Sequence, residues 1–201
     1  MARNRELNQK MRDERREQIL SNALILFAAK GLSATKITDI SAASGISQGL
    51  IYHYFQSKEE IFRELISSAF EKMNTACREL EKLPLPPREK IILAIEKLLE
   101  GFDVYENTSY YYLLILQATV SEAVPQEVKD IIRNQSDFPY EVMERILIEG
   151  QKEGSVRAYD ARDLAVVFWT TIKGLGLNKA AHGERFKSPD PRILINIFLK
   201  E

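Results

Sequence analysis

The sequence predicts an all-α protein with a small three-helix N-terminal domain containing a helix-turn-helix at residues 1–60, followed by a larger helical domain at 61–201. Two observations support this fold class. Residues 32–62, LSATKITDISAASGISQGLIYHYFQSKEEIF, contain three short helical segments with their caps. The rest of the chain repeats apolar residues at helical spacing, between proline and glycine breaks, without a strand pattern.

The second helix of the chain is predicted to begin at Thr35, whose hydroxyl can accept amide hydrogens of the first turn. Asp39 then lies near the positive end of the helix dipole. Gly45 can adopt the left-handed conformation that ends a helix, and Ser47 is a favoured N-cap for the next one. These signals predict a short turn between two helices.

The third helix has one apolar and one polar side. Ile51 and Phe55 are four residues apart and are expected to pack inward, with Ile46 and Ile51 as a hydrophobic staple. A helix of roughly 12 Å fits a major groove about 12 Å wide. The outward side carries hydrogen-bonding groups, flat rings and one position without a side chain: Gln48, Gly49, Tyr52 and His53.

A capping box formed by Ser57 and Glu60 predicts that a long fourth helix starts directly after the third. The segments REQILSNALILFAAKGLSATKITDIS and SGISQGLIYHYFQSKEEIF resemble the DNA-binding domain of the TetR (tetracycline repressor) family of bacterial transcriptional regulators. Ser41 and Thr38 depart from the family pattern, where alanine is usual and arginine frequent. The resemblance implies a phosphate contact at Lys58 and further DNA contacts at Lys36, Thr38, Gln48, Gly49, Tyr52, His53 and Tyr54.

Composition is typical of a globular protein, with 201 residues, 45% hydrophobic residues and a net charge of −1. The longest run without charge, residues 107–121, is shorter than a membrane span, and the N-terminus has no apolar signal core. The single cysteine, Cys77, agrees with a reducing compartment. We therefore expect a cytoplasmic protein with no membrane association.

Basic side chains near the N-terminus predict either a DNA-contacting arm or a frayed terminus: Arg3, Arg5, Lys10, Arg12, Arg15 and Arg16.

The sequence LPLPP at 83–87 predicts a break after the fourth helix, because proline ends one helix and is tolerated at the first position of the next. Six further helical segments follow. Their expected ranges are 88–105, 110–121, a continuation after Pro125, 138–153, 161–180 and 191–199.

The last two helices are apolar on more than one side, which predicts a second covering partner. Self-association would supply it as a four-helix bundle between two subunits, the dimer contact that the family resemblance also implies. Burial inside one larger monomeric core is the alternative. A two-fold dimer would read a palindromic operator. The predicted interface residues are Leu164, Phe168, Thr171, Leu175, Leu194, Ile197 and Phe198.

An aromatic-rich set in the middle of the chain predicts an apolar small-molecule pocket, although aromatic residues at helical spacing are often simply core. The family resemblance implies a repressor released from its operator by an effector; an activator, or a regulator controlled by a protein partner or corepressor, is the alternative. The candidate effector-binding residues are Phe102, Tyr105, Tyr111, Tyr112, Gln117, Phe138 and Trp169.

Enzymatic function is not expected. His53 belongs to the third helix, and His182, the only other histidine, has no metal-ligand neighbour in sequence. KGLGLNK at 173–179 lacks the third glycine and the preceding strand of a dinucleotide loop, so close packing is its expected role. We therefore predict neither a metal nor a cofactor, and expect double-stranded DNA, a small effector and a second copy of the chain as partners.

Overall fold

The computed structural model describes residues 2–105 and 107–200. In these ranges the chain forms ten α-helices and one short 3-10 helix at Gly183–Arg185, confirming the all-α prediction. The helices are α1 (Ala2–Ala34), α2 (Ile37–Ala43), α3 (Gln48–Tyr54), α4 (Lys58–Lys82), α5 (Pro87–Val104), α6 (Thr108–Val120), α7 (Gln126–Gln135), α8 (Phe138–Lys152), α9 (Ala161–His182) and α10 (Pro191–Phe198).

The junction between α1 and α2 differs from the prediction at one residue. Gly31 has a φ of 78° and kinks the end of α1. Thr35 is buried, and its hydroxyl donates to the carbonyl oxygens of Gly31 at 2.8 Å and Leu26 at 3.3 Å. It therefore does not cap α2. The Lys36 N–H, just before α2, donates instead to the Asp39 carboxylate at 3.3 Å.

The turn between α2 and α3 has the predicted caps. Gly45 has a φ of 65°, and the Ser47 hydroxyl accepts the Leu50 N–H at 3.3 Å. Ile51 and Phe55 are 0% and 1% exposed, so the inward side of α3 is confirmed. At the start of α4, the Ser57 hydroxyl accepts the Glu60 N–H at 3.2 Å, and the Glu60 carboxylate accepts the Gln56 N–H at 2.6 Å.

Two hydrophobic cores organise the molecule, and α4 runs through both. We call them the head core and the body core. The head core contains Ile51 and Phe62 and also takes in Leu114 of α6 and Val128 of α7. The body core contains Cys77 and joins α4 to α5, α8, α9 and α10. The 25 residues of α4 span roughly 37 Å at about 1.5 Å per residue, enough to connect the two cores.

Close packing of α6 on α9 depends on a glycine. A Cβ atom at Gly176 would lie 2.7 Å from Cδ2 of Tyr112 and 3.2 Å from Cε1 of Phe102. Only glycine therefore lets the Tyr112 ring reach α9, and burial raises the pKa of that tyrosine. KGLGLNK has the expected packing role. None of the helices in the described ranges is long and apolar enough to cross a membrane.

Candidate nucleic-acid interface

The outward side of α3 forms an exposed surface of mixed chemistry. Gln48, Gly49, Tyr52 and His53 are all exposed, and Tyr52 keeps 55% of its surface accessible. A Cβ atom at Gly49 would meet only the Ser47 hydroxyl, at 3.9 Å, so the space above this position is open. Amide, hydroxyl and imidazole groups can bond base edges or phosphates, while the glycine permits close backbone approach.

Tyr54, the remaining predicted contact on α3, is placed differently. It is half-buried and packs against the head core. Its ring stands edge-on to that of His53, with centroids 5.5 Å apart. Tyr54 therefore supports the orientation of His53 while presenting only part of its own surface.

Lys36 and Thr38 are both exposed at the start of α2, as a DNA-contacting role requires. Their position is fixed by Asp39, whose carboxylate accepts the Lys36 N–H and approaches the Lys30 ammonium at 3.4 Å. The Lys36 N–H is the main cause, and Lys30 a further one, of a lowered pKa for Asp39. The lysine and threonine side chains are left pointing to solvent.

The Lys58 ammonium bonds to backbone carbonyls, whereas the family resemblance implied a contact with a DNA phosphate. The ammonium donates to three backbone carbonyls at the α1–α2 junction, those of Leu32 at 2.8 Å, Ser33 at 3.1 Å and Thr35 at 2.9 Å. An ammonium has three N–H donors, and all three are used. A positive charge at the negative end of a helix is also favourable. Lys58 therefore joins α4 to the α1–α2 junction.

Arg16 makes a second link within the head, and the sequence reasoning did not identify it. Its guanidinium forms a bidentate ion pair with Glu64 of α4. The same group lies 4.9 Å from the ring centroid of Phe55, at the end of α3. α1, α3 and α4 therefore meet at one charged contact. Its partners are 48 residues apart, so no local sequence pattern signals it.

The N-terminal basic segment is helical. α1 begins at Ala2, whereas Ile19 is the first buried residue among the described side chains. Arg5, Lys10 and Arg12 are exposed along this extension, and the Lys10 ammonium lies 3.8 Å from the Glu14 carboxylate. The side chain of Arg3 lies outside the described part of the structure.

The seven predicted effector-binding residues fall into three groups. Phe102, Trp169, Tyr112 and Phe138 belong to the body core or pack against it. Tyr111 packs against the head core, and Gln117 donates from Nε2 to the Ala28 carbonyl of α1 at 2.8 Å. Tyr105 forms the third group by itself: it is 66% exposed and points to solvent. Of the seven, only Tyr111 lines the cavity of about 180 Å³ that lies between α1, α4 and α6.

α6 packs on both cores and is bonded to α1: its Leu114 lies in the head core, whereas its Tyr112 packs against the body core. Besides the Gln117 bond, the Asn107 amide donates to the Ser21 hydroxyl at 2.7 Å. The Gln117 Oε1 atom is buried and has no hydrogen-bond partner among the described residues. Because α6 also packs on α9 through Gly176, a shift of α6 within the body would move groups bonded to α1.

The predicted dimer residues require a correction. Leu164, Phe168, Leu194 and Phe198 are 1–6% exposed within a single chain and lie in the body core. Phe168 and Phe198 pack on each other, with ring centroids 5.6 Å apart. These four therefore offer no surface to a second copy. Thr171 and Leu175 are half-buried and Ile197 is 41% exposed, and the predicted set omitted Val166 and Val167, at 43% and 44% exposed.

Comparison with known proteins agrees with this architecture. Residues 19–65 match the family described as bacterial regulatory proteins, tetR family. The chain is 30% identical over 164 residues to the HTH-type transcriptional repressor KstR2 of Rhodococcus jostii, covering 79% of this chain and 78% of that protein. It is 26% identical over 165 residues to the HTH-type transcriptional activator FasR of Mycolicibacterium smegmatis, covering 81% and 71%.

Solved structures share the fold. The MbdR regulator from Azoarcus sp. CIB has a TM-score of 0.77 at 21% identity over 90% of this chain and 95% of its own. A putative transcriptional regulator from Saccharomonospora viridis, in complex with choline, has a TM-score of 0.68 at 24% identity over 94% and 100%. The chain belongs to the TetR family of bacterial regulatory proteins. It is a transcriptional regulator, not an enzyme.

Proposed function

We propose that the protein is a cytoplasmic, homodimeric repressor that binds a palindromic operator and is released by a small apolar or amphipathic effector. The observation that carries the proposal is the division of α3 into a buried side, Ile51 and Phe55, and an exposed side that no described residue covers. Gln48, Tyr52 and His53 would read or position DNA, with Lys36 and Thr38 at the flanking end of α2.

Two copies of α3 are needed to read a palindrome, and α9 offers the surface to pair them. Its exposed side carries Val166, Val167 and Thr170, and Gly174 lies further along the same helix with open space above its Cα atom. Small and β-branched groups allow two helices to approach closely. We place the dimer contact on this side of α9, with Ile197 of α10 as the remaining exposed candidate from the predicted set.

The effector is proposed to act in the body, beside Phe102, Tyr112 and Trp169. The Phe102 and Tyr112 rings pack on each other beside Gly176, where α5, α6 and α9 meet, whereas Trp169 packs on Tyr140 of α8. A ligand entering between Phe102 and Tyr112 would separate α6 from α9. α6 would then displace the groups bonded to α1. A ligand that binds this displaced arrangement more tightly than the operator-binding arrangement weakens operator binding. The size of the effect is set by the ratio of the ligand's two affinities. Trp169 is the only tryptophan and lies in the same body core, so its fluorescence should change when a ligand rearranges that core.

A selection for binding to fragmented genomic DNA tests the regulator and its operator together. The wild-type protein should enrich one or a few palindromic sites at near-physiological salt. Tyr52→Ala should lose that enrichment and keep its thermal stability, because Tyr52 is 55% exposed and supports no core contact. Equal enrichment by both proteins would contradict the assignment of α3 as the reading helix.

Activation is the second candidate, favoured by the similarity to FasR, which is named an activator. The two candidates share the head and its operator but differ in what binding does to transcription. Transcription from a promoter carrying the recovered site, with and without the protein in a purified system, separates them. A repressor lowers the transcript yield and an activator raises it.

A further inference from the structure

The cavity between α1, α4 and α6 differs from the body core in its chemistry. Its volume is about 180 Å³. Leu20, Leu24 and Leu65 form an apolar floor and are at most 7% exposed. Charged and hydroxyl-bearing side chains stand around this floor, including Tyr111, whose pKa is raised by burial and by the nearby Glu17 carboxylate. A lining of this kind suits a small ligand with both apolar and polar ends.

Two opposite charges stand at the exposed rim of the cavity. Glu17 comes from α1 and Lys72 from α4, and neither forms an ion pair among the described residues. The third charged group, Glu64, is already neutralised by Arg16. The cavity therefore offers one carboxylate and one ammonium, carried by two different helices. A ligand carrying one charge of each sign would satisfy both.

We propose that this cavity binds a small α-amino acid with an aliphatic side chain. The ligand ammonium lies at Glu17, its carboxylate at Lys72, and its side chain on the three leucines. The size agrees, since an apolar cavity of about 150 Å³ accommodates benzene, and this cavity adds room for a charged end group. Tyr111, whose hydroxyl can donate and accept, is among the residues that line the same space.

Such a ligand would touch three helices at once. The cavity lies between α1, α4 and α6, beside the Asn107–Ser21 hydrogen bond. Occupancy therefore favours one position of α6 relative to α1, and changes operator affinity by the ratio of the ligand affinities for the two arrangements of these helices. This regulatory consequence rests on the proposed function, whereas the binding site itself does not.

Isothermal titration of the full chain with L-leucine, leucinol and isocaproate tests the site without DNA. Leucinol lacks the carboxylate and isocaproate lacks the ammonium. Each should bind about fivefold more weakly than leucine, as expected for one partly exposed ion pair. Glu17→Gln should weaken leucine by a similar factor and remove the preference for leucine over isocaproate. Glu71→Gln, an exposed carboxylate on α4 outside the cavity, should change nothing.

No binding of leucine, or equal binding of all three compounds, overturns the inference. Retention of the preference over isocaproate in Glu17→Gln also overturns it. Operator binding is then measured separately with and without leucine. If the protein binds its operator but not leucine, only this inference is wrong. If it binds leucine but no DNA, the proposed function is wrong. Leucine binding that leaves operator affinity unchanged refutes the regulatory consequence.

Discussion

Replacing Lys58 by methionine separates a positioning role from a DNA contact. Methionine keeps an unbranched side chain of similar length and removes the ammonium that holds the Leu32, Ser33 and Thr35 carbonyls. Hydrogen bonds to charged groups contribute about 1.5–3 kcal/mol each, but Lys58 is half-exposed and water can rehydrate the carbonyls. We therefore expect a loss of roughly 2 kcal/mol in the free energy of unfolding, or about 4–8 °C in Tm.

The salt dependence of operator binding supplies the decisive readout. Each lysine–phosphate contact contributes about 0.9 to the slope of log K against log salt concentration. Lys58→Met should weaken operator binding without changing that slope, because the ammonium is already committed to carbonyls. Lys36→Met is the matched control: its exposed side chain should lower the slope and leave stability unchanged. A reduced slope with unaltered stability in Lys58→Met would refute the positioning role.

Four further substitutions test other parts of the structure. Gly49→Ala should fold at least as stably as wild type, since its new Cβ meets only Ser47 at 3.9 Å, yet bind operator more weakly in a gel-shift titration because the methyl group faces DNA. Gly176→Ala should lose about 1–3 kcal/mol in denaturant unfolding through overpacking against α6. Asp39→Asn should be less stable than wild type at neutral pH. The folded pKa of Asp39 is lowered, so its contribution is present above the ordinary value of 3.8 and disappears as pH falls through the lower folded value; a difference that persists in acid would contradict this origin. Val167→Glu should sediment as a monomer with unchanged helicity. An intact dimer would contradict the placement of the dimer contact on this side of α9.

Local signals let the sequence predict the helices well. Gly45, Ser47 and the Ser57–Glu60 pair act within a few residues of each other, so their spacing alone defines where α2 ends and where α3 and α4 begin. Thr35 shows the limit of such signals. A hydroxyl can either accept from the following helix or donate to the preceding one, and the kink at Gly31 brings two carbonyls within its reach.

Contacts between distant segments could not be predicted from spacing. Lys58 bonds to carbonyls 23–26 residues away, and Arg16 pairs with a carboxylate 48 residues away. The dimer prediction failed at four positions for a related reason. An apolar stripe on α9 indicates that something covers it, and the sequence does not say whether the cover is α10 of the same chain or a second copy. The contact between the Phe198 and Phe168 rings shows that α10 of the same chain covers that stripe.

The ratio of operator affinity to nonspecific DNA affinity in Gln48→Ala tests the central claim that the exposed side of α3 reads bases. The measurement uses the selected operator and a scrambled duplex of equal length at one fixed salt concentration. Loss of a base contact should weaken operator binding by about 1–3 kcal/mol and leave binding to the scrambled duplex unchanged. An equal loss for both duplexes, or no loss for either, would contradict the claim.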